Sequence, residues 1–300
     1  MILDDLNKAA HLIKSGKNVI FPTETVWGIG ANAYDHRACK NIYAIKNRPE
    51  DNPLIIHLHE MEQIPLVGVI SDHLLHQLSS FIPGPLTLIL EKRDPAIFTC
   101  GLKTVAVRVP ASKQAQLMIK ASKVPIAAPS ANLSGKPSIT RFDDVLQTFE
   151  GKVDAILKGD DSLYGIESTV IDLTEKPIYL RPGFISFEEI QVVLPDLELL
   201  SEGETHLSPG MKYRHYAPLC KISELSDDTN LEEAAVIGFH PFKEAHFSKV
   251  VKDNIHYAKE LYAFLIECDK RGLKKAYFQK PQENKPLYYA IIHRLLKASS

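Results

Sequence analysis

Residues 21–58 read Phe21-Pro22-Thr23-Glu24-Thr25-Val26-Trp27-Gly28, then a stretch with helical spacing, then Lys46-Asn47-Arg48-Pro49 and Asn52-Pro53-Leu54-Ile55-Ile56-His57-Leu58. Asn18 to Phe21 is a short apolar strand stopped by Pro22. Asp35 is a suitable N-cap for a helix that buries Ala38, Ile42 and Ile45. Pro49 disfavours helix at Arg48, so Lys46 and Arg48 fall where that helix runs out. The next strand places Leu54, Ile56 and Leu58 on one face and Ile55 and His57 on the other. Strand, helix and strand in this order predict an α/β fold. Thr23 to Asn32, with two threonines and two glycines, is expected to be a loop holding backbone against a ligand, although a plain strand-to-helix connection accounts for the glycines as well. Cations at a helix end complement its dipole. Arg48, locked between a helix end and a proline turn, is in an expensive place for a merely solvated charge. Hydroxyls and cations this close together predict a pocket for a polar, anionic ligand.

Outward from this stretch the alternation continues. Leu6, Ala9, Ala10 and Ile13 have helical spacing ahead of Gly16, and a second helix is predicted over 72–80. Pro83-Gly84-Pro85 turns into a strand at Leu86 to Glu91, and Thr104 to Val109 alternates, with Thr104, Ala106 and Arg108 opposite a valine face. An arginine and a threonine on a small-residue face suit an anion site, and a solvent-facing surface suits the pattern equally. A helix over 113–121 leads to the buried strand Val124 to Ala128, which runs into Pro129-Ser130-Ala131-Asn132-Leu133-Ser134-Gly135. Loops at the carboxyl ends of strands are where open α/β sheets bind ligands. A helix over 142–149, strands at 153–157, 168–173 and 178–180, and a capping box from Ser186 and Glu189 follow. Arg181-Pro182-Gly183 again places a cation at a strand end.

Periodicity fades over 195–219, where Ser208 to Pro218 mixes prolines, tyrosines and cations. Plain spacers lack such aromatics, so this linker is expected to pack onto something. Beyond it, a strand at 234–239, a helix at 255–270, a strand at 275–278 and a helix at 287–297 predict a small α/β unit. The predicted organisation is a domain over 1–200, a linker over 201–219 and a second domain over 220–300. The fold class is a twisted open mixed sheet with helices, plus a small Rossmann-like C-terminal unit.

Composition narrows the function. A net charge of −2 lacks the footprint of a dedicated nucleic-acid binder. The four cysteines form no C-x-x-C pair and read as buried thiols in a reduced compartment. His57 with His59, and His73 with His76, have no neighbouring carboxylate or thiolate completing a metal site, so no protein-bound metal is predicted. Without a basic leader or a membrane-length apolar run, a cytoplasmic protein is expected. No G-x-S-x-G, P-loop, G-x-G-x-x-G or H-E-x-x-H occurs, which leaves chemistry done by positioning a phosphate-bearing substrate and neutralising its charge.

Taken together, Pro22-Thr23-Glu24-Thr25-Val26, Lys46-Asn47-Arg48-Pro49, Asn52-Pro53-Leu54, Pro83-Gly84-Pro85, the Arg108 strand, Pro129-Ser130-Ala131-Asn132, Glu167-Ser168-Thr169 and Arg181-Pro182-Gly183 resemble the threonylcarbamoyl-adenylate synthase (YrdC-like) family over roughly residues 5–195. The Ser208 to Pro218 stretch and the α/β tail look like its two-domain form, with a shortened C-terminal domain. The resemblance implies that L-threonine, bicarbonate and ATP, with Mg2+ held mainly by the ATP, give threonylcarbamoyl-AMP and pyrophosphate. A downstream tRNA threonylcarbamoyl-transferase complex is the implied partner, with weak direct tRNA contact at most and no membrane. Position by position it implies Thr25, His57, Arg108 and Ser168, with the Ala128 backbone, as threonine contacts. Lys46, Arg48, Asn52, Thr104, Ser130, Ser138, Arg181 and His215 look like the ATP side, with Lys46 and Arg48 stabilising phosphate charge. Arg108 would grip the threonine carboxylate as a bidentate fork. Lys212 to Tyr216 is expected to close as a lid. Trp27 stands where the family usually has tyrosine. Two rivals are an RNA-binding module without catalysis and carbamoyl-adenylate chemistry on another acceptor, as in hydrogenase-maturation carbamoyltransferases.

Overall fold

The apolar spacing near the N-terminus produces the helix Leu6–Lys14, whose first turn is capped by Asp5 accepting from the N–H groups of Asn7 and Lys8. Asp35 likewise caps the helix His36–Lys46 through the Ala38 N–H, and that helix ends at Asn47 in the left-handed conformation (φ 50°). The turn at Asn47 is what throws Arg48 off the helix axis. In the computed structural model, residues 1–200 and 216–299 are described.

Two sheets organise these residues. Edge to edge, the larger runs Ile2–Leu3, Ala155–Leu157, Val19–Phe21, Gly28–Asn32, Ile126–Ala128, Ile55–His57, Thr104–Arg108, Leu86–Lys92, Thr169–Asp172, Ile178–Arg181 and Glu198–Leu199. The short strand Gly68–Val69 pairs beside Leu86–Lys92. The sheet is mixed, as expected: Ile55–His57 is parallel to Thr104–Arg108 but antiparallel to Ile126–Ala128.

Two expectations fail here. Residues 28–32 are a strand, antiparallel to Val19–Phe21, so the loop is confined to 23–27. The composition that suggested a loop serves close packing instead. A Cβ on Gly30 would lie 2.7 Å from Ile126 Cγ2 and 2.9 Å from Phe21 Cε1. The predicted helix over 72–80 is also broken, into Asp72–Gln77 and a 3-10 turn at Ser79–Phe81.

The smaller sheet is parallel throughout, in the order Lys221–Glu224, Lys275–Phe278, Ala234–Gly238, Phe247–Val250. Its helices are Asn254–Lys270 and Tyr288–Ser299. The strands Lys221–Glu224 and Phe247–Val250 escaped the sequence reading because exposed polar residues dilute their pattern.

The core of the small sheet does not stop at its own border. Val26 and Ile166 of the large unit pack in one buried cluster with Tyr216, Leu261, Tyr262 and Ile291. Gly165 approaches the helix Asn254–Lys270 so closely that a Cβ there would meet Lys259 Cα at 2.4 Å. Polar contacts run along the same seam: Arg141 to Glu260 at 2.8 Å, Lys270 to Asp144, and the Ala217 N–H to the Gly135 carbonyl at 2.8 Å.

Candidate active site

Alternation along the central strands sorts two kinds of residue. Leu54, Ile56, Leu58, Val105, Val107 and Val109 belong to the main core. On the opposite face Ile55 and Ala106 pack with Ile89, Val170 and Leu180, and His57 and Arg108 continue that face past this small cluster. The main-core face is therefore closed by helices, and the other face carries a cleft. It encloses about 760 Å³ including its open mouth, and among its walls are Thr25, Arg48, His57, Arg108, Ser168 and Arg181.

Arg108 is fixed before any ligand arrives. Its Nη2 donates to Glu24 Oε1 at 2.6 Å, its Nη1 to Thr25 Oγ1 at 2.8 Å and its Nε to the Gly84 carbonyl at 3.2 Å. Of five guanidinium N–H groups, three are thus committed and two remain. Glu24 also accepts from the N–H groups of Ala111 and Ser112. Burial alone would raise the Glu24 carboxyl, but Arg108 and those N–H donors outweigh it and hold the pKa below the ordinary value. His57 pairs in register with Arg108. Its Nδ1 lies 3.0 Å from the Ile55 carbonyl, which can only accept, so Nδ1 carries the proton and Nε2 is the acceptor of the neutral ring. Burial, and then the Arg108 charge, push its pKa down to about 4.

The other side of the cleft is built differently. Arg48 contributes Nη2 to the Asn52 carbonyl at 3.4 Å, while its Nε is buried with no hydrogen-bond partner among the described residues. A buried, unmatched guanidinium N–H lining a cleft is a donor waiting for an acceptor. Ser130 Oγ donates to Asn132 Oδ1 at 2.5 Å. Arg181 wraps the Ser168 carbonyl with Nε at 3.2 Å and Nη2 at 2.9 Å. Ser138 Oγ donates to Glu167 Oε1 at 2.6 Å, and Glu167 also lines the cleft. Among the described residues, three guanidinium groups and one carboxylate line these walls, and that carboxylate, Glu167, is already engaged by the Arg294 guanidinium from the last helix. The free capacity of the cleft is for an anion.

Thr25, Arg48, His57, Arg108, Ala128, Ser130, Ser138, Ser168 and Arg181 all line this one cavity. Lys46 does not. It is fully buried beneath the wall, with Nζ donating to the carbonyls of Ser130 and Asn132 at 2.5 Å each. Burial, with Arg48 close by, drives its pKa well below the normal lysine value, so the backbone carbonyls are what satisfy it. Asn52 is buried behind Arg48, its carbonyl accepting from Tyr43 and Arg48, and it is not among the lining residues. Thr104 shares the Arg108 face but stands four residues away, roughly 13 Å along the strand, opposite Glu91 and outside the cavity. Periodicity reports the face and not the distance. His215 lies outside the described residues, as do Lys212 to Arg214 of the expected lid. Tyr216 is described, is buried, stacks on Tyr262 with ring centroids 5.4 Å apart, and lines the cleft.

Three residues that brace the site had no role in the sequence reading: Glu24, which holds Arg108, and Glu167 with its partner Arg294 from the last helix. The two acids were visible inside quoted motifs, and an acid set among strand-end residues needs a buried cation. Arg294 gave no signal, because its helix has an ordinary amphipathic pattern. Among the described residues no group of three or more His, Cys, Asp or Glu side chains could hold a metal ion, and no helix is long and apolar enough to cross a membrane.

Comparison with known proteins identifies the family. The Sua5/YciO/YrdC family model, described as "Telomere recombination", matches residues 11–183, and the threonylcarbamoyl-AMP synthase C-terminal domain model matches residues 185–300. A threonylcarbamoyl-AMP synthase of Pyrococcus abyssi is 41% identical, with 97% of this chain and 93% of the relative covered. The Schizosaccharomyces pombe threonylcarbamoyl-AMP synthase is 34% identical over 98% of this chain and 88% of its own. The crystal structure of P. abyssi Sua5 complexed with L-threonine superposes with a TM-score of 0.90 at 39% identity, covering 98% of this chain and 94% of that one. Fold and sequence converge, and the chain belongs to the threonylcarbamoyl-AMP synthase family of two-domain Sua5/YrdC proteins.

Proposed function

We infer that this protein is an L-threonylcarbamoyladenylate synthase, making threonylcarbamoyl-AMP and pyrophosphate from L-threonine, bicarbonate and ATP. The observation that carries this reading is the likeness, across nearly the whole chain, to a Sua5 complexed with L-threonine. It is combined with a cleft that holds a preset arginine beside a hydroxyl and a neutral histidine.

On the threonine side, Arg108 offers its two remaining N–H groups to the amino-acid carboxylate. Glu24, Thr25 and Gly84 fix the plane of the guanidinium. His57, neutral at pH 7, and the Ser168 hydroxyl offer uncharged polar contacts, and the Ala128 backbone edges the same wall. On the nucleotide side, Arg48 and Arg181 supply positive charge, and Ser130 and Ser138 supply hydroxyls. Lys46 acts at one remove by tying the loop that carries Ser130. We place Asn52 in the same supporting role behind Arg48. His215 is assigned to the nucleotide side on the resemblance alone.

The reaction needs no protein nucleophile. The threonine amine adds to the carbon of carbon dioxide, supplied from bicarbonate by loss of hydroxide, and the proton that the amine releases joins that hydroxide as water, leaving a carbamate. A carbamate oxygen then forms the bond to the α-phosphorus, and the bond to the bridging oxygen of the β-phosphate breaks. Pyrophosphate leaves with that electron pair. The chain's part is to hold the two reactants in line and to oppose the charge that grows on the phosphates. Mg2+ would arrive with ATP and neutralise phosphate charge, held mainly by the triphosphate oxygens. The product would feed a tRNA threonylcarbamoyl-transferase complex in the cytoplasm.

The test is pyrophosphate release from ATP and bicarbonate with each amino acid in turn. Release that depends on threonine is the expected result. Release without an amino acid, or with all alike, would overturn the reading. Salt-sensitive RNA binding with no use of ATP would favour an RNA-binding module instead.

A further inference from the structure

Arg294 is fully buried, although it sits on the last helix of the chain, in the unit that does not carry the cleft. Its Nε donates to Glu167 Oε2 at 3.2 Å and its Nη2 to the Glu167 carbonyl at 3.5 Å. Its Nη1 donates to the carbonyls of Pro182 and, at 3.0 Å, Ala290. Glu167 immediately precedes Ser168, and Pro182 immediately follows Arg181. One guanidinium therefore ties together the two strand ends that deliver Ser168 and Arg181 to the cleft. Glu167 in turn accepts from Ser138 through Oε1 and from Tyr262 through Oε2.

We propose that Arg294 is a positioning residue, chiefly for the nucleotide half of the active site, clamping the ends of the strands that carry Arg181 and the threonine-side Ser168 and holding the Glu167 carboxylate as the acceptor that orients Ser138. This rests on the cleft being the ATP-using site described above. The second unit thereby completes the site from behind without entering it. The charge balance supports this. The groups facing Glu167 are Arg294 and His293 from the last helix, Tyr262 from the helix before it, Tyr216, Arg181 and Ser138. Burial would raise the Glu167 carboxyl, and Arg294 is the largest of the influences that lower it. Without Arg294, Arg181 remains as the other lowering charge, and burial should make the carboxyl easier to protonate. Lysine keeps the charge at position 294, but its single ammonium lacks the fork that spans Glu167 and Pro182.

The experiment measures pyrophosphate formation against pH in Arg294→Met, Arg294→Lys and the double variant Arg294→Met/Glu167→Gln, with near-ultraviolet circular dichroism to confirm folding. Supporting partners one step removed from a site commonly matter by about 10–100-fold. Arg294→Met should lose kcat/KM for ATP by about that factor, raise the threonine KM by a smaller factor because Ser168 sits on the clamped strand end, and gain an acid limb that the wild type lacks. The double variant should lose the limb. Arg294→Lys should lose kcat/KM for ATP but show no limb. A folded Arg294→Met with wild-type ATP parameters and pH profile would overturn the proposal. So would equal losses toward ATP and threonine with no limb, the mark of a merely structural role. If Arg294→Met does not fold, Arg294→Lys decides, and wild-type kcat/KM for ATP in that variant overturns the clamp. Should the wild type itself release no threonine-dependent pyrophosphate, the activity assignment fails separately. The clamp is then judged by calorimetric ATP affinity, weakened in Arg294→Lys if it holds and unchanged if it does not.

Discussion

The Arg108 wall and the Arg181 wall of the cleft both present a guanidinium group, but they are supported from different directions. Arg108 is held by Glu24, Thr25 and Gly84, all within the large sheet and its turns. Arg181 grips the Ser168 carbonyl, and the ends of those two strands are tied by Arg294 from the far end of the chain. The first wall is finished once its own sheet has formed. The second is finished only when the C-terminal unit has docked. A site divided this way can keep the Arg108 wall rigid while the Arg181 wall, Ser168 included, depends on the state of the second unit.

The comparison can be broken most severely at Glu24. Removing one partner of a buried ion pair leaves an uncompensated charge and costs about 3–5 kcal/mol. Glu24→Ala should lower the denaturation midpoint accordingly, and a change below about 1 kcal/mol would show that Arg108 finds support elsewhere. Next comes Arg48, whose Nε is an open donor rather than a structural tie. Arg48→Ala should reduce pyrophosphate turnover by roughly 10²–10³ with the melting temperature nearly unchanged. Near-normal turnover would remove Arg48 from the chemistry.

His57 sharpens the same contrast through pH. Its pKa is about 4 in the folded protein against 6.5 for the unperturbed group. The unfolded chain therefore takes up the proton first. Stability present above pH 6.5 is lost as pH falls toward 4, by about 3 kcal/mol for a shift of this size. His293, pushed down to about 3 by burial and by Arg294, adds to the same window. His57→Gln should flatten the stability profile between pH 6.5 and 4 without abolishing its slope, and an unchanged profile would mean that His57 is not held neutral. Tyr262→Phe is the mildest test. It removes one hydrogen bond to the Glu167 carboxylate, worth about 1.5–3 kcal/mol, and should affect ATP parameters more than threonine parameters. Equal effects on both would erase the division between the walls.

What the sequence made legible follows from how each residue is positioned. His57 and Arg108 were readable because a two-residue period puts them opposite a valine and leucine face. Arg48 was readable because a helix end and a proline pin it. Ser130, Ser168 and Arg181 stood at strand ends, where such sites form. The Glu24–Arg108 and Glu167–Arg294 pairs were not readable, because each joins residues distant in sequence and neither leaves a periodic trace. Lys46 shows the opposite failure. Its motif was plain, yet buried carbonyls turn its ammonium into the wall. Gly28 and Gly30 looked like a loop because the same small residues that free a chain also let two strands and a phenylalanine ring close up.

Gly165 has a thermodynamic meaning beyond its fit. With the backbone of Lys259 pressed against its Cα, and with Val26 and Ile166 embedded among Leu261, Tyr262 and Ile291, the interior of the small sheet continues into the large unit. Parting them would put that shared apolar surface into water, a loss that grows with the area exposed. The boundary is one of topology and not of energy. Heat or denaturant should dissolve both units in a single cooperative transition, with near- and far-ultraviolet signals falling together, and two resolved melting steps would show that the sheets store their stability independently.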